Sequence, residues 1–583
     1  MRVFFVFAIT AGLLIYSTGL TAPLHLDDPN VLRIAETVGW GTRTLGYASF
    51  WLNRQILLFI GSVLPWCEAF YYRLGNVFIH ALAATALFWL VREITQRWLT
   101  AAVAGALFLV HPIQTQAVTY ISQRFESQAA MFMFLSAAAF ARFRRTNTKL
   151  WIPAVVVFAI GAALTKETAV VLPLWLLFME FVFFEGTQLR KLVVYMAGLG
   201  LLLVVPALRA FQGSGQITLG WIAWDQYLLT QGPILTKYFE LATWPRRQFL
   251  FYDFQPVGSI TGTVVLEWLL VIGVAAFGLF LLRRQRLIGF GIISFFILLL
   301  PVMLLPLPDL IVEHRLYGAF AGVAIAAAGC VQVINRRWSL AMTILAAILV
   351  VALGVKTARR NSEWQDQLTF LEMHHAAFPR DPQILTRLAS YYFMSGYVNK
   401  SLELNLEARR YEDRFNTYYS QQGHVLTAIN LSSAYLAKGD FQNAEIEARR
   451  AIAAKPKEGY AWRALGYVQM QERKFPEAVD SFKKYSELLP NGEAWQALEL
   501  AATRAGDAAT AKLAAEKLNA ESGKASAVAA SPGIPERYKS FAIFGLTLGV
   551  LGALAWAVYT VWAAIAGLAN HKGTRTQGSS QVM

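Results

Sequence analysis

Residues 98–145 read WLTAAVAGALFLVHPIQTQAVTYISQRFESQAAMFMFLSAAAFARFRR. An apolar run at 98–110 is followed by a polar stretch from His111 to Arg124. A second apolar run, 126–141, ends in Arg142, Arg144 and Arg145. A membrane crossing takes about 20 apolar residues, fewer where it is short or tilted. Two such runs, with a polar link at one end and a basic cluster at the other, describe two antiparallel membrane helices. The pattern extends in both directions, with apolar runs at 3–20, 73–91, 98–110, 126–141, 149–164, 168–184, 191–208, 261–282, 287–306, 316–334 and 338–356. This predicts about eleven crossings, and the short third, fourth and fifth runs leave the count open by one or two.

Composition agrees. Apolar residues are 56% of the 583 and charged residues 15%, against roughly 45–50% and about 25% in soluble domains. That excludes a disordered chain and argues against a wholly soluble one. Two cysteines, Cys67 and Cys330, exclude a disulfide framework or a cysteine-based metal site. The net charge of +15 would suggest nucleic acid in a soluble protein. Here it reads as orientation. The first run follows Arg2 without a small-residue cleavage site and is expected to be an uncleaved anchor. With the N-terminus inside, every inside loop is basic: Arg92 and Arg97, the 142–149 cluster, Arg190 and Lys191, Arg283 to Arg286, Arg336 and Arg337. Most acids of this half then fall outside. The expectation is a multi-pass inner (plasma) membrane protein needing no nucleic acid.

From Arg359 the chain turns polar and repeats with a period of 34 residues: Pro456 recurs as Pro490, Ala444 as Ala478 and Leu431 as Leu465. The second copy carries Trp462, Leu465, Gly466, Ala478, Phe482 and Pro490, the spacing of the tetratricopeptide repeat. Weaker copies begin near Leu385 and Trp495. The predicted organisation is all-α. A transmembrane domain at 1–357 is followed by a repeat domain at 358–520, outside the cytoplasm. A linker at 521–538, a C-terminal membrane helix at 539–570 and a cytoplasmic tail at 571–583 complete the chain.

Chemistry gathers in the outward loops. Asp27 and Asp28 follow the first run, where paired carboxylates suit activation of a hydroxyl or a divalent cation. A structural role is equally open: Asp28 before Pro29 predicts an N-cap, with a depressed pKa, which would leave Asp27 as the freer base. His111, Arg124 and Glu126 lie between the third and fourth runs. Lys166-Glu167 forms the next outer turn and reads alone as a solvated pair. Glu313-His314-Arg315-Leu316-Tyr317 opens the tenth run, where Arg and His either snorkel or clamp a lipid phosphate. A long outer loop at 209–260 holds Trp221, Trp224, Tyr227, Gln231 and Tyr238, suited to sugar stacking or to the interface. Clusters mixing acids, bases and histidine on one face exceed what snorkelling predicts. They fit a reaction on an anionic, lipid-linked substrate.

With these stretches, together with Asn76 to His80, His111 to Val118, Thr165 to Thr168 and Tyr227 to Gln231, the chain resembles the transmembrane and tetratricopeptide-repeat-containing (TMTC) proteins and their bacterial relatives. These belong to the GT-C class of membrane glycosyltransferases. The resemblance implies a protein O-mannosyltransferase fold using a polyprenyl-phosphate-linked sugar and Ser or Thr acceptors. It also implies an acidic catalytic base or metal ligand, which carries over to Asp27 and Asp28. The repeat array is shorter than in the animal members, and a span follows it. That opens the identity of sugar and acceptor.

The expected function is protein O-glycosylation by an inverting enzyme. Asp27 and Asp28 carry catalysis, and His111, Arg124, Lys166, Glu167, Gln231, Tyr238, Glu313, His314, Arg315 and Tyr317 bind the donor phosphate or sugar. No cofactor is assigned, a divalent cation at the acid pair stays open, and the repeats recruit the acceptor or a partner. Two alternatives remain: a glycan polymerase, ligase or oligosaccharyltransferase acting on a diphosphate-linked oligosaccharide, and a non-catalytic membrane scaffold.

Overall fold

The computed structural model describes residues 1–36, 43–60, 67–185, 193–201, 203–204, 222–307, 309–333, 339–412 and 417–530. The C-terminal membrane helix, the tail, the end of the linker and Trp221 lie outside these residues. All regular structure among them is helical. Six helices among the described residues are long and apolar enough to cross a membrane, or seven if the bent pair Trp98–Val110 and Pro112–Thr119 is one span. The fourth to sixth runs form the helices Arg124–Thr146, Trp151–Ala163 and Leu172–Phe183.

The Glu68–Thr95 helix is the centre of the bundle, packed on Arg2–Tyr16, Trp98–Val110 and Arg124–Thr146. Ala81, Ala83, Ala84 and Ala86 are almost wholly buried along it. Small side chains let helix backbones approach closely in an apolar medium. Helices Arg286–Leu304 and Leu316–Val333 take this furthest. A Cβ on Gly322 would lie 2.5 Å from the Gly291 carbonyl oxygen, and one on Gly291 2.5 Å from that of Gly322. Gly322→Ala must therefore push the two helices apart, with an expected loss of about 1–3 kcal/mol. Gly318→Ala meets only Ala130 at 3.7 Å and should be tolerated. Thermal unfolding of the two variants in one detergent checks the contrast.

Helix Gly262–Arg284 is mostly exposed and apolar, with Leu266, Leu269 and Phe280 each more than half exposed, as expected of a surface against lipid. At the end of the bundle away from the repeats, the basic loops are partly neutralised. Arg145 and Arg142 reach Glu93 at 2.6 and 3.3 Å, and Arg144 reaches Glu180 at 2.7 Å. Acids therefore share that end with the cations.

Two sequence expectations change. The outer loop at 209–260 contains a helix, Trp224–Thr243, despite its internal Pro233. It packs on Gly262–Arg284, and Gly232 lets Trp268 come within 2.7 Å of where a Cβ would stand. The stretch 521–538 is helical as far as it is described. Helix Ala508–Ala530 runs into it, since Ala is the strongest helix former.

The polar segment forms four helical hairpins: Pro382–Met394 with Val398–Arg410, Thr417–Ala437 with Phe441–Ala454, Gly459–Gln471 with Phe475–Leu488, and Gly492–Ala505 with Ala508–Ala530. Gly466 does in space what its place in the repeat requires. A Cβ there would lie 2.7 Å from the Phe482 ring of the partner helix. Asp381, Asp440 and Asn491 cap helix N-termini. A further helix, Gln367–Ala377, joins the array to the bundle. Trp364 is fully buried between His25, Tyr120 and Phe370, and Leu250 N–H donates to His374 Nε2 at 2.7 Å. The repeats are thus seated on the end of the bundle that carries the acid pair.

Candidate functional site

The acid pair is built by the loop after the first helix. Arg73 pins that loop, donating to the carbonyls of Thr119 (2.9 Å), Pro23 (2.5 Å) and Ala22. Leu26 has φ 42°, a left-handed conformation that costs a residue with a Cβ roughly 1–2 kcal/mol. Backbone held in such a conformation is typical of functional loops. Just beyond it, the two carboxylates diverge.

Asp27 is exposed, with Oδ2 accepting from Tyr120 Oη at 3.2 Å while its own N–H donates to the same oxygen at 3.1 Å. Asp28 is buried. It accepts from the N–H of His25 at 3.0 Å and of Ser122 at 2.8 Å. It does not cap its own helix, because its carboxylate turns back and across. Nor is its pKa depressed. Burial pushes it up to about 6, against the opposing pull of the two amides and Arg73. Asp27 is thus the more exposed of the two carboxylates, because Asp28 is enclosed.

The folded pKa of Asp28 exceeds its unfolded value near 3.8. Its contribution to stability is therefore greatest below pH 4 and is lost as pH rises to about 6. The loss is about 3 kcal/mol. The Tm of the wild type minus that of Asp28→Asn, which cannot titrate, should fall between pH 4 and 6 and then level off. A flat difference would contradict this.

The pair does not fit a shared cation. Both Asp28 oxygens are taken by amides, and among the described residues no three His, Cys, Asp or Glu converge. No step is therefore routed through a metal.

A second cluster lies at the same end. Lys166 Nζ pairs with Glu126 at 2.6 Å, and Glu167 takes a two-pronged bond from Arg43 at 2.6 and 3.0 Å. The Lys166-Glu167 turn is thus not a solvated pair, since each residue has another partner and Glu167 is buried. Burial works to raise the Glu167 carboxyl, but Arg43 and Lys166 outweigh it and hold it below the ordinary range. Arg315 donates to the carbonyls of Asp309 and Leu310 and lies beside Tyr238 and Tyr227. His314 binds Gln116 Oε1 through its backbone N–H at 2.6 Å. Lys166, Arg315 and Arg43 all act electrostatically on His314, and Glu126 on Arg315. Three cations thus meet three carboxylates, since Asp309 also acts on Arg315, and the charges of the cluster balance. Nearby in sequence, the side chains of Gln114 and Thr115 are buried without a partner among the described residues. Buried polar groups in that condition call for water or a ligand.

The other expected donor-binding residues are held by bonds within the fold. Arg124 is buried, giving its guanidinium to Asn76 Oδ1 (2.5 Å), Tyr72 O (2.7 Å), Asn53 Oδ1 (2.8 Å) and Ser49 O (3.1 Å), with Phe50 stacked at 4.1 Å. His111 accepts from Ile113 N–H and packs on Phe320. Tyr317 binds His80 Nδ1 at 2.7 Å inside the core. Gln231 bonds back to Tyr227 O one turn earlier. Tyr238 donates to Val312 O at 3.2 Å. Glu313 accepts from Phe249 N–H (2.7 Å), Tyr252 Oη (2.6 Å) and Gln248 Nε2 (3.0 Å), which locks the segment before Arg315. Sequence reasoning missed Arg43, Tyr120, Gln116, Tyr252 and Arg73. Tyr120 and Gln116 lie within the polar stretch already singled out. Nothing local marks Arg43, whose partner is far along the chain.

No family profile and no curated protein matches the chain. Among solved structures, ArnT from Cupriavidus metallidurans bound to undecaprenyl phosphate is similar at 14% identity. It covers 77% of this chain and 80% of its own, with a TM-score of 0.35. The MamA RS-1 ArsTM double mutant is similar at 17% identity over 30% of this chain and 95% of its own, with a TM-score of 0.24. Likenesses this weak do not define an activity.

Proposed function

We propose that the protein is a membrane glycosyltransferase. It moves a sugar from a polyprenyl-phosphate-linked donor to a Ser or Thr hydroxyl of a protein outside the cytoplasm, and the repeats hold the acceptor or a partner near the site. The observation that carries this reading is the pairing at one end of the bundle. An exposed carboxylate, Asp27, is aimed by Tyr120, and Lys166, Arg43 and Arg315 gather three cations at the same end, held by Glu126, Glu167 and the carbonyls before Arg315.

Asp27 takes the proton of the acceptor hydroxyl as its oxygen bonds to the anomeric carbon. The bond from that carbon to the phosphate oxygen breaks, with inversion, and the lipid phosphate leaves as a monoester. A phosphate is a good leaving group, so no general acid is needed. Cations placed where charge develops are the main source of transition-state stabilisation. Lys166 and Arg315 can exchange Glu126 and the backbone carbonyls for phosphate oxygens.

Incubating the purified chain with a labelled polyprenyl-phosphate sugar and a Ser/Thr-containing protein tests the reading. A single-sugar mass increment is expected, whereas a ladder of added sugars would favour a polymerase. Absence of transfer under all conditions would favour a scaffold. Arg315→Ala should weaken donor use by about ten- to a hundredfold toward every acceptor alike, the worth of one charge-assisted contact.

A further inference from the structure

A second basic site lies apart from the acid pair. A cavity of about 690 Å³ is lined by Arg246, Arg247, Lys356, Arg359 and Arg360, with Glu363 as the one carboxylate among its lining residues. Five positive charges against Glu363, and against Glu313 behind the wall, which Arg360 also faces, leave an excess of at least three. Arg360 is only 5% exposed; its Nη1 pairs with Glu363, but its Nε is buried with no partner. Lys356 donates to Pro245 O. Arg246, Arg247 and Arg359 are exposed and, among the described residues, have no carboxylate partner. Like charges held this close repel, and a buried guanidinium nitrogen without an acceptor is costly. Both penalties are relieved by an anion.

The walls say what kind of anion. One wall is the apolar helix Ser339–Ser362, whose Ile344, Ile348, Val351 and Val355 are about half exposed or more and lead to the cavity at Val355. A ligand with a charged head and an apolar tail meets both surfaces at once. The opposite wall, Gln248 and Phe249, also binds Glu313, and Met373 and Ala376 of the helix that seats the repeats close the cavity. We infer that this cavity seats the phosphate-monoester head of a membrane lipid, with its tail along the Ser339–Ser362 helix and its head between the bundle and the first helix of the repeat segment. The site goes beyond the transfer reaction and does not require it.

The test uses the full chain in nanodiscs of neutral phosphatidylcholine, doped either with a polyprenyl phosphate or with phosphatidic acid. Retention is read by native mass spectrometry and stabilisation by Tm. At least one of the two lipids should bind and raise Tm. The double charge reversal Arg246→Glu/Arg359→Glu, at exposed positions, should weaken that binding by roughly a hundredfold or more. Its Tm without added lipid shows that it folds. Which lipid is retained identifies the source of the phosphate. Retention of neither, or equal retention by the charge-reversed protein, would overturn the inference. Inorganic phosphate binding as tightly as the lipids would overturn the role of the tail. Because binding is read without turnover, failure of the transfer reaction leaves this result intact.

Discussion

Replacing Asp27 by Asn is expected to lower sugar transfer by about a hundred- to ten-thousandfold, the range a positioned general base supplies, while the protein folds normally. Folding should survive because Asp27 is exposed and its partner is the Tyr120 hydroxyl. Asn keeps an acceptor oxygen for that hydroxyl but cannot take a proton. Asp28→Asn should behave differently. The amide places an N–H₂ where one of two backbone N–H groups now finds an oxygen, and an unmade buried bond costs about 1–3 kcal/mol. The loop that aims Asp27 would loosen, so stability and activity should fall together. Transfer assays on both variants, each checked by Tm, separate the roles. Near-normal transfer by Asp27→Asn with a folded but inactive Asp28→Asn would reverse them.

The largest loss of stability is expected at Arg124. Its guanidinium meets the acceptors of Asn76, Asn53, Tyr72 and Ser49 and stacks on Phe50. It ties helix Thr44–Ile60 to helix Glu68–Thr95, and Gly75 stands where a Cβ would be only 2.3 Å from Asn53 Oδ1. Arg124→Ala leaves those acceptors buried without donors. Each buried acceptor left without a donor costs about 1–3 kcal/mol, enough together to threaten a protein whose whole stability is of order 5–15 kcal/mol. The expected result is little or no monodisperse protein in detergent. Arg124→Lys should rescue only part, since a point charge cannot reach four acceptors. If Arg124 bound the donor phosphate instead, Arg124→Ala would fold normally and lose donor affinity.

The sequence was informative where the physics is local. Apolar runs became the helices Arg2–Tyr16, Glu68–Thr95 and Arg286–Leu304 because length and hydropathy alone meet the demand of a membrane. The repeats were legible for a related reason: the pairing of Gly466 with Phe482 lies within one period. Helix Trp224–Thr243 was hidden because Gly232 and Pro233 argue against a helix. Packing against Gly262–Arg284 overrides them. In the candidate site, the residue types were visible but their partners were not. Lys166 and Glu167 are neighbours in sequence, yet pair with Glu126 and Arg43. Asp28 read as a cap because Asp before Pro opens helices, but the backbone turn at Leu26 and the Ser122 amide redirect it. Arg124 and His111 read as ligands because they share the outward loops with the acid pair. In the fold both carry internal bonds, Arg124 to four acceptors and His111 to the Ile113 amide.

In the proposed reaction Asp27 takes the acceptor's proton as the lipid phosphate is released. The most direct measurement follows the lipid product and the acceptor mass in one reaction, for the wild type and Asp27→Asn. The expected result for the wild type is one polyprenyl monophosphate released for each sugar gained by the acceptor. Asp27→Asn should bind the donor and release neither product. A wild type that leaves the donor intact, or an Asp27→Asn protein that consumes it at the wild-type rate, would contradict the account.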